Sequence, residues 1–470
     1  MRYRIESDSI GEKEVPINAY YGVQTLRAYE NFNITGRRIH PQLIKALAEI
    51  KKAAAITNMD IELLNRKVGN AIVKACDEII KGKYHDEFIT DAVQGGAGTS
   101  MNMNANEVVA NIAIQILGGE MGDYSIVHPN DHVNMGQSTN DVIPTGGKIA
   151  AIRLLNGALI QLNDLVGALL DKSKEFDHVI KMGRTQLQDA VPIRLGQEFR
   201  AYADAVKRDI ARIKRSMEDL RHVSMGATAI GTGINADEEY VKNVTPNLSI
   251  VTELELVQCD DLVDGTQNLD TFAAVSGALK VCAINLSKIS NDLRLMSSGP
   301  RTGIGEINLP AKQNGSSIMP GKVNPVIPEV VSQVAFNIIG NDMTITMAAE
   351  AGQLELNAFE PVLYYNLFES IETLTNGVKT FIENCVNGIT ANEKRCKDLV
   401  ENSVGIITAI CPHVGYKNSA KIAKTAIKTG ESVRELILKE GLLKEAELDL
   451  IFDAYGMTEP GISGKELLKR

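Results

Sequence analysis

The segment IRLLNGALIQLNDLVGAL at residues 152–169 decides the fold class. Its apolar residues recur every three or four positions, which places them on one face of a helix. The same spacing returns at 195–220 and 363–385, and broader apolar stripes lie at 265–296 and 327–352. A helix of about 30 residues would be about 45 Å long. Five such rods separated by polar loops predict an antiparallel bundle, so we expect an all-α fold.

The pattern changes on either side of these rods. The first part of the chain is mixed, with short strand-like segments before helical ones, and shorter helices follow residue 395. We therefore predict three domains, at 1–139, 140–394 and 395–470. Several of the rods look apolar around more than a third of their circumference. Periodicity alone favours equally a large core and a second face buried against identical chains.

The composition excludes several classes of protein. Apolar residues make up 44% and charged residues 23% of 470 positions, which is typical of a globular protein. The net charge of −10 argues against a nucleic-acid partner. No run approaches the roughly 18 uninterrupted apolar residues of a membrane helix, and the N-terminus has no apolar signal core. Six cysteines without a CxxC pair indicate free thiols, so we expect a cytoplasmic protein.

Four polar loops interrupt the helical pattern, each next to a predicted helix. Glycines in such loops can turn backbone amides toward a ligand, and a helix N-terminus carries about half a positive charge. Ordinary helix capping would explain the first two loops as well, and Arg184 in the third could be structural. The loops are GGAGTS at 95–100, GQSTND at 136–141, GRTQLQD at 183–189 and GSSIMPGKVNP at 315–325.

Other ligand motifs are rejected. Loop 315–325 fails the phosphate-loop pattern, because five residues rather than four separate its glycines and a valine follows its lysine. Segment 231–236 matches GxGxxA but has no strand before it. His128 and His132 are spaced like zinc ligands on a helix, but Pro129 between them indicates a loop. The sequence predicts no metal site.

The loop GSSIMPGKVNP resembles the signature of the aspartase/fumarase superfamily over the whole motif. The other three loops fall in the order of that family's conserved blocks, and the likeness runs from EVP at 14–16 to MTEP at 457–460. The resemblance implies three helical domains, with the central five-helix bundle packing into the twenty-helix core of a homotetramer. Active sites would form where loops of three subunits meet.

Within the superfamily the loops resemble the aspartase branch. GGAGTS has the aspartase form, where fumarases usually read SGTxTN, and Thr139 stands where fumarases commonly have a second serine. Gln186 occupies the position of a fumarase histidine thought to help activate water with a glutamate at the position of Glu329. The implied activity is deamination of L-aspartate to fumarate. A class II fumarase and a non-catalytic structural relative are the alternatives.

The resemblance also implies a role for individual residues. Ser316 would be the base that removes the Cβ proton of a dicarboxylate substrate, through an aci-carboxylate intermediate. The β-carboxylate would be held by Thr99, Ser138, Thr139 and Ser317. The α-carboxylate would be held by Thr185, Lys322 and Asn324. The amino group would be held by Asn140 and Thr99, with Gln186 as a further candidate.

The resemblance implies no required cofactor and no metal ligand, while activation by a divalent cation stays open. It implies neither a nucleic-acid nor a membrane partner. The segment 128–134 resembles a second anion-binding segment of the family, but we favour a structural role for it here.

Overall fold

The computed structural model describes residues 2–453 and 455–469. Met1, Ala454 and Arg470, which fall in the predicted first and third domains, lie outside the described residues. Within the described residues, helices dominate and strands are short, so the all-α prediction is confirmed. The helices are α1 (Val23–Asn31), α2 (Pro41–Asp60), α3 (Arg66–Ile80), α4 (Thr99–Ile116), α5 (Thr139–Glu175), α6 (Leu195–Glu218), α7 (Glu238–Thr252), α8 (Leu262–Gln267), α9 (Asp270–Met296), α10 (Val326–Glu350), α11 (Glu360–Asn384), α12 (Glu393–Asn402), α13 (Ile407–Val414), α14 (Tyr416–Thr429), α15 (Val433–Lys439) and α16 (Glu445–Ile451).

The strands pair two by two. The pairs β1–β2, β3–β4 and β7–β8 are antiparallel, and β5–β6 is parallel. The strands are β1 (Tyr3–Asp8), β2 (Gly11–Pro16), β3 (Ile180–Thr185), β4 (Gln188–Arg194), β5 (His222–Val223), β6 (Val257–Gln258), β7 (Ile307–Asn308) and β8 (Thr390–Ala391).

The five predicted rods correspond to the long helices α5, α6, α9, α10 and α11, although the predicted segment 265–296 also includes the end of α8, which stops at Gln267 before α9 begins at Asp270. The chain folds into two compact units. The first comprises Met1–Ile160, Asp209–Ala283 and Ala335–Thr375, and the second comprises Gln161–Arg208, Ile284–Val334 and Asn376–Arg470. The three-domain division made from the sequence stays a prediction.

The core of the first unit is built around Tyr364 of α11. Its ring centroid lies 5.3 Å from that of Phe272 on α9 and stacks on Phe368 at 5.6 Å. A Cβ atom on Gly147 of α5 would lie 2.3 Å from Cζ of Tyr364, so only glycine lets the two helices approach this closely. Three of the predicted rods therefore meet at one aromatic cluster.

The core of the second unit has an aromatic cluster of its own. Phe199 on α6 contacts Phe176 and Tyr202 at centroid distances of 5.4 and 5.8 Å. The hydroxyl of Tyr202 donates a hydrogen bond of 3.0 Å to Asp292 on α9, which satisfies its one polar group. The C-terminal helices enclose a separate apolar cluster that includes Ile410.

Two helices, α5 and α9, are long and apolar enough to cross a membrane by length and composition alone. Their most apolar windows are 56% and 44% buried. The core helix of a globular protein passes the same test, and both helices supply core residues such as Leu155 and Phe272.

The third polar loop is a hairpin rather than an open connection between helices. Strands β3 and β4 flank a two-residue turn, Gln186 and Leu187, whose φ angles are +55° and +62°. Two successive positive φ angles match the twist of a hairpin. Gly183 sits at an irregularity of the pairing, where a Cβ atom would lie 2.6 Å from the carbonyl oxygen of Val191.

Candidate active site

The first polar loop ends at the N-terminus of α4, where it contacts α5. Gly98 caps α4 with φ of +82°, and a Cβ atom there would lie 2.9 Å from the side chain of Ile143 on α5. This close approach places Thr99 beside the first turn of α5. The Thr99 side chain is exposed, and its hydroxyl donates a hydrogen bond of 2.8 Å to the carbonyl of Gly96.

The second polar loop caps α5 and has a defined hydrogen-bond pattern. The Ser138 Oγ accepts the N–H of Asn140 at 3.2 Å, so the hydroxyl hydrogen stays available to a ligand. The Asn140 Nδ2 donates to the carbonyl of Ala229 at 2.7 Å, which leaves its Oδ1 as an acceptor. The Thr139 Oγ1 accepts a hydrogen bond of 3.3 Å from Nδ2 of Asn102.

Asp141 holds this loop from the protein interior. Its fully buried carboxylate accepts the N–H of Ser138 at 2.9 Å through Oδ1, and the N–H of Gly226 and Thr228 at 3.2 and 3.1 Å through Oδ2. Burial raises the pKa of Asp141 to about 7, against the effect of these hydrogen bonds and of Lys51. The buried Asp141 carboxyl therefore fixes the backbone of the loop by hydrogen bonds.

Lys51 of α2 is the second buried ionisable group beneath the loop. Its Nζ donates to Oδ1 of Asn102 at 2.7 Å, and to Oδ1 of Asn134 and Oε1 of Gln137, both at 2.9 Å. Burial lowers the pKa of Lys51 to about 7, while Asp141 has the opposite effect. The three hydrogen bonds that Lys51 donates favour its charged form, because an ammonium has three N–H groups and needs three acceptors.

The segment 128–134 uses its histidines within its own turn. The His128 Nδ1 accepts the N–H groups of Asn130 and Asp131 at 3.2 and 3.1 Å, and the N–H of His128 donates to Nδ1 of His132 at 2.9 Å. Burial lowers the pKa of His132. These contacts support the structural role that we favoured for this segment.

Thr185 and Gln186 lie at the exposed tip of the β3–β4 hairpin. Strand β3 of this hairpin is held by ion pairs. The Nη1 atom of Arg184 contacts Glu306 at 2.8 Å, and the Nζ of Lys181 lies 3.3 Å from the other oxygen of that carboxylate. Arg184 is structural, as its place among helix ends suggested.

The fourth loop surrounds the Ser316 hydroxyl with backbone donors. The Oγ atom accepts the N–H of Ile318 at 3.2 Å and the N–H of Met319 at 3.0 Å. Both donors would strengthen if Ser316 lost its proton, because a hydrogen bond to an anion is about twice as strong as one between neutral groups. These two donors would therefore stabilise an alkoxide at Ser316.

Asn324 and Gly315 close the same loop at its base. The Nδ2 of Asn324 donates to the Gly315 carbonyl at 2.8 Å, and the N–H of Gly315 donates to the Lys322 carbonyl at 2.8 Å. A Cβ atom on Gly315 would lie 2.7 Å from that carbonyl oxygen, so the position requires glycine. Ser317 and the Lys322 side chain stay exposed on the loop.

The predicted site residues thus form three groups. Thr99 and the residues 138–140 lie together in the first unit. Thr185 and Gln186 lie at the hairpin tip in the second unit. The fourth loop, residues 315–325, forms the third group in the same unit and is called the serine loop below. In the described part of the second unit, no hydrogen bond joins the hairpin tip to the serine loop. Glu329, the counterpart of the fumarase partner, lies 3.8 Å from Arg294 instead.

Sequence reasoning missed the buried support of the first group. Lys51 lies in the apolar run AEIKKAAAI at 48–56, where a charge on the inward face of a helix is unusual. The inward position of Lys51 was the feature of the sequence that could have revealed this support. Asn102 and Asp141 gave no such signal, because both stand where a helix cap would be expected. Among the residues that the structure describes, no group of three or more His, Cys, Asp and Glu could hold a metal ion.

Comparison with known proteins places this chain in a family. The family described as Lyase matches residues 11–340, and the one described as Fumarase C C-terminus matches residues 406–459. The chain belongs to the aspartase/fumarase superfamily of lyases. The resemblance seen in the four loops is confirmed over most of the chain.

Members of this superfamily match the chain from end to end. An aspartate ammonia-lyase of Bacillus subtilis (strain 168) is 58% identical over 468 residues, which cover 100% of this chain and 98% of that protein. A solved structure of a fumarate lyase:delta crystallin from Brucella melitensis bound to cobalt has a TM-score of 0.96 at 49% identity, covering 98% of this chain and all of that one. A recombinant class II fumarase from Schistosoma mansoni has a TM-score of 0.93 at 37% identity, with coverage of 98% and 100%.

Proposed function

We propose that this chain is an aspartate ammonia-lyase, which converts L-aspartate to fumarate and ammonia. The observation that carries the proposal is the 58% identity over the full chain to a relative of that name. Identity to the class II fumarase is 37% on the same fold. Gln186 also argues against the hydration reaction, because an amide cannot relay a proton between water and a glutamate.

Ser316 is the base in this proposal. Its Oγ takes a proton from Cβ, and the electron pair of the broken C–H bond delocalises into the β-carboxylate as an aci-carboxylate. The pair then forms the Cα–Cβ double bond while the C–N bond breaks, and the nitrogen leaves as ammonia. The N–H groups of Ile318 and Met319 support the alkoxide that the first step needs.

The β-carboxylate gains charge in the first step, so donors aimed at it stabilise the transition state most. One such donor is worth about 3–4 kcal/mol in comparable oxyanion sites. Thr139 suits this role, because its Oγ1 already accepts a hydrogen bond and its hydrogen is free to donate. The other donors to this carboxylate in the proposal are Thr99, Ser138 and Ser317.

The remaining contacts hold the α-carbon substituents. The Asn140 Oδ1 accepts from the substrate ammonium, for which its Nδ2 contact with Ala229 leaves it oriented. Asn324 keeps one N–H beyond the one that closes its loop, and this N–H can donate to the α-carboxylate. Lys322 and Thr185 complete the α-carboxylate contacts, and Gln186 contacts the amino group.

We further propose a homotetramer with active sites shared by three subunits. An apolar stripe on α10 supports it: Phe336, Met343 and Met347 are each 63% exposed in the single chain, and Ile339 lies on the same face. Exposed apolar residues in a continuous stripe are typical of a subunit interface. The six free thiols support a cytoplasmic location.

The first test follows the ultraviolet absorbance of fumarate with L-aspartate, L-malate or argininosuccinate as substrate. We expect fumarate from L-aspartate. Faster formation from L-malate would favour the fumarase alternative, and no formation from any of them would favour a non-catalytic relative.

The second test is Ser316→Ala. Loss of a general base should lower kcat by about 10²–10⁴-fold, with the assembly state and melting temperature unchanged. The matched variant Ser298→Ala removes a hydroxyl that also accepts a backbone N–H, that of Ile304 at 3.0 Å, but lies outside the proposed site, and it should change kcat by less than about twofold. Equal effects of the two substitutions would contradict the assignment of Ser316 as the base.

A further inference from the structure

The buried ammonium of Lys51 donates hydrogen bonds to three side-chain amides. These amides lie next to the first group of site residues, Thr99 and residues 138–140. The three hydrogens of its ammonium are used by Asn102, Asn134 and Gln137, at 2.7, 2.9 and 2.9 Å. The lysine itself has no exposed surface. Its ionisable neighbours are the Asp141 carboxyl and the Cys76 thiol.

An ammonium can donate but cannot accept a hydrogen bond, so each amide must turn its oxygen toward Lys51. The NH₂ group of Asn102 then faces the other way. It donates to Oγ1 of Thr139 and to Oδ1 of Asn134, both at 3.3 Å. The orientation of the Asn102 amide therefore follows from the position of Lys51.

Asn102 in turn orients the Thr139 hydroxyl. Because its oxygen accepts from Asn102, its hydrogen has to point elsewhere, and the side chain is partly exposed at the N-terminus of α5. An accepted hydrogen bond also polarises a hydroxyl and makes it a better donor. The series of hydrogen bonds from Lys51 through Asn102 therefore ends at the Thr139 hydroxyl, a donor that faces the site.

We propose that Lys51 is a positioning residue: it orients Asn102 so that the Thr139 hydroxyl donates to the β-carboxylate of the substrate. This inference rests on the proposed function, which assigns the β-carboxylate to Thr139. Without Lys51, the Asn102 amide could rotate and present its oxygen to Thr139. The hydroxyl would then donate to Asn102 rather than to the substrate.

A purely structural role for Lys51 predicts different behaviour. The network ties α2 and α4 to the loop at 134–137, so removing Lys51 should lower stability in either case. Only a positioning role makes the effect on catalysis depend on the Thr139 hydroxyl. A double-mutant cycle between the two residues separates these roles.

The cycle combines Lys51→Met with Thr139→Val and measures kcat/KM for L-aspartate and the melting temperature. Methionine keeps an apolar stem of similar length, and valine keeps the shape of threonine without the hydroxyl. Since one lost oxyanion donor costs about 10²–10³-fold, we expect Lys51→Met to lower kcat/KM by at least about 30-fold in the native background. In the Thr139→Val background the factor should fall below about 3-fold.

Lys52→Met is the matched control. Lys52 is the next residue of α2 and forms an ion pair of 2.7 Å with Asp77. Its loss removes one lysine from the same helix without touching Asn102. We expect kcat/KM to stay within about twofold of the native value, since surface pairs contribute little.

Asn102→Asp tests the same series of hydrogen bonds if Lys51→Met does not fold. Aspartate keeps the contact with Lys51 but has no N–H, so the Thr139 hydroxyl has to donate to it. We expect a loss in kcat/KM like that of Lys51→Met, again abolished by Thr139→Val. If a folded Lys51→Met or Asn102→Asp variant lowers kcat/KM by the same factor in the native and the Thr139→Val background, the positioning role is contradicted. The proposed function would then still stand. A native chain that forms no fumarate from L-aspartate would overturn the proposed function and this inference with it.

Discussion

The Nη1 atom of Arg184 lies 2.8 Å from Oε1 of Glu306, whose side chain is fully buried. Lys181 contacts the same carboxylate at 3.3 Å. One buried anion thus pairs with two cations of strand β3, in the hairpin that carries Thr185 and Gln186. The hairpin tip is exposed, so its position depends on this buried contact.

Glu306→Leu should destabilise the protein strongly. It leaves Lys181 and Arg184 without this partner, and breaking a buried ion pair costs about 3–5 kcal/mol. Urea unfolding measures the free energy. Glu239→Leu, which removes an exposed pair with Lys242, is the control and should change it by less than about 1 kcal/mol. Similar losses in both variants would show that the buried contact contributes no more than a surface pair.

Two glycines of α5 should respond to alanine with opposite signs. Gly147→Ala puts a methyl group 2.3 Å from Tyr364 and should cost about 1–3 kcal/mol or more from overpacking. Gly167→Ala has nothing within 4 Å and should be neutral or stabilising by up to about 1 kcal/mol, since alanine favours helices. Thermal unfolding measures both. A neutral Gly147→Ala would mean that α11 can move away from α5 without cost.

Asp141 should make stability depend on pH between about 4 and 7. Burial raises its folded-state pKa to about 7, above the unfolded value of about 3.9. The contribution of Asp141 to the free energy of unfolding is therefore fully present below pH 4 and is lost as the pH rises through 7. The full shift corresponds to about 4 kcal/mol.

Unfolding free energies of the native chain and Asp141→Asn over this pH range check the prediction. The difference between native and variant should fall as the pH rises. Asp131→Asn, at an exposed carboxyl, controls for the change in net charge. A difference between the native chain and Asp141→Asn that stays constant with pH would show that Asp141 does not titrate in this window.

The apolar stripe of α10 should control assembly. Phe336→Glu places a charge at the centre of the proposed interface, where an unpaired buried ion costs several kcal/mol. We expect dissociation of the tetramer in sedimentation experiments and loss of activity, with little change in helix content. Ile250→Glu, at a residue of α7 that is 75% exposed, is the matched control and should leave the tetramer intact. An intact, active tetramer in Phe336→Glu would contradict the proposed interface.

The sequence predicted the elements that depend on local pattern. The five rods follow from apolar spacing, because a helix repeats every 3.6 residues and its buried face can be read along the chain. The hairpin at β3–β4 was missed for the opposite reason. Its strands alternate weakly, its turn lacks Asn-Gly, and it is held by Glu306, more than 100 positions away in the sequence.

What the sequence by itself determined is the all-α class, the five long helices and, through the likeness of its loops, the family and the candidate residues Ser316, Thr139 and Asn140. Only the tertiary structure decided how those side chains are oriented. The direction of the Thr139 hydroxyl depends on Asn102 and Lys51, which lie on two other helices. Hydrogen-bond polarity is a property of groups that meet in space, so no local pattern could have revealed it.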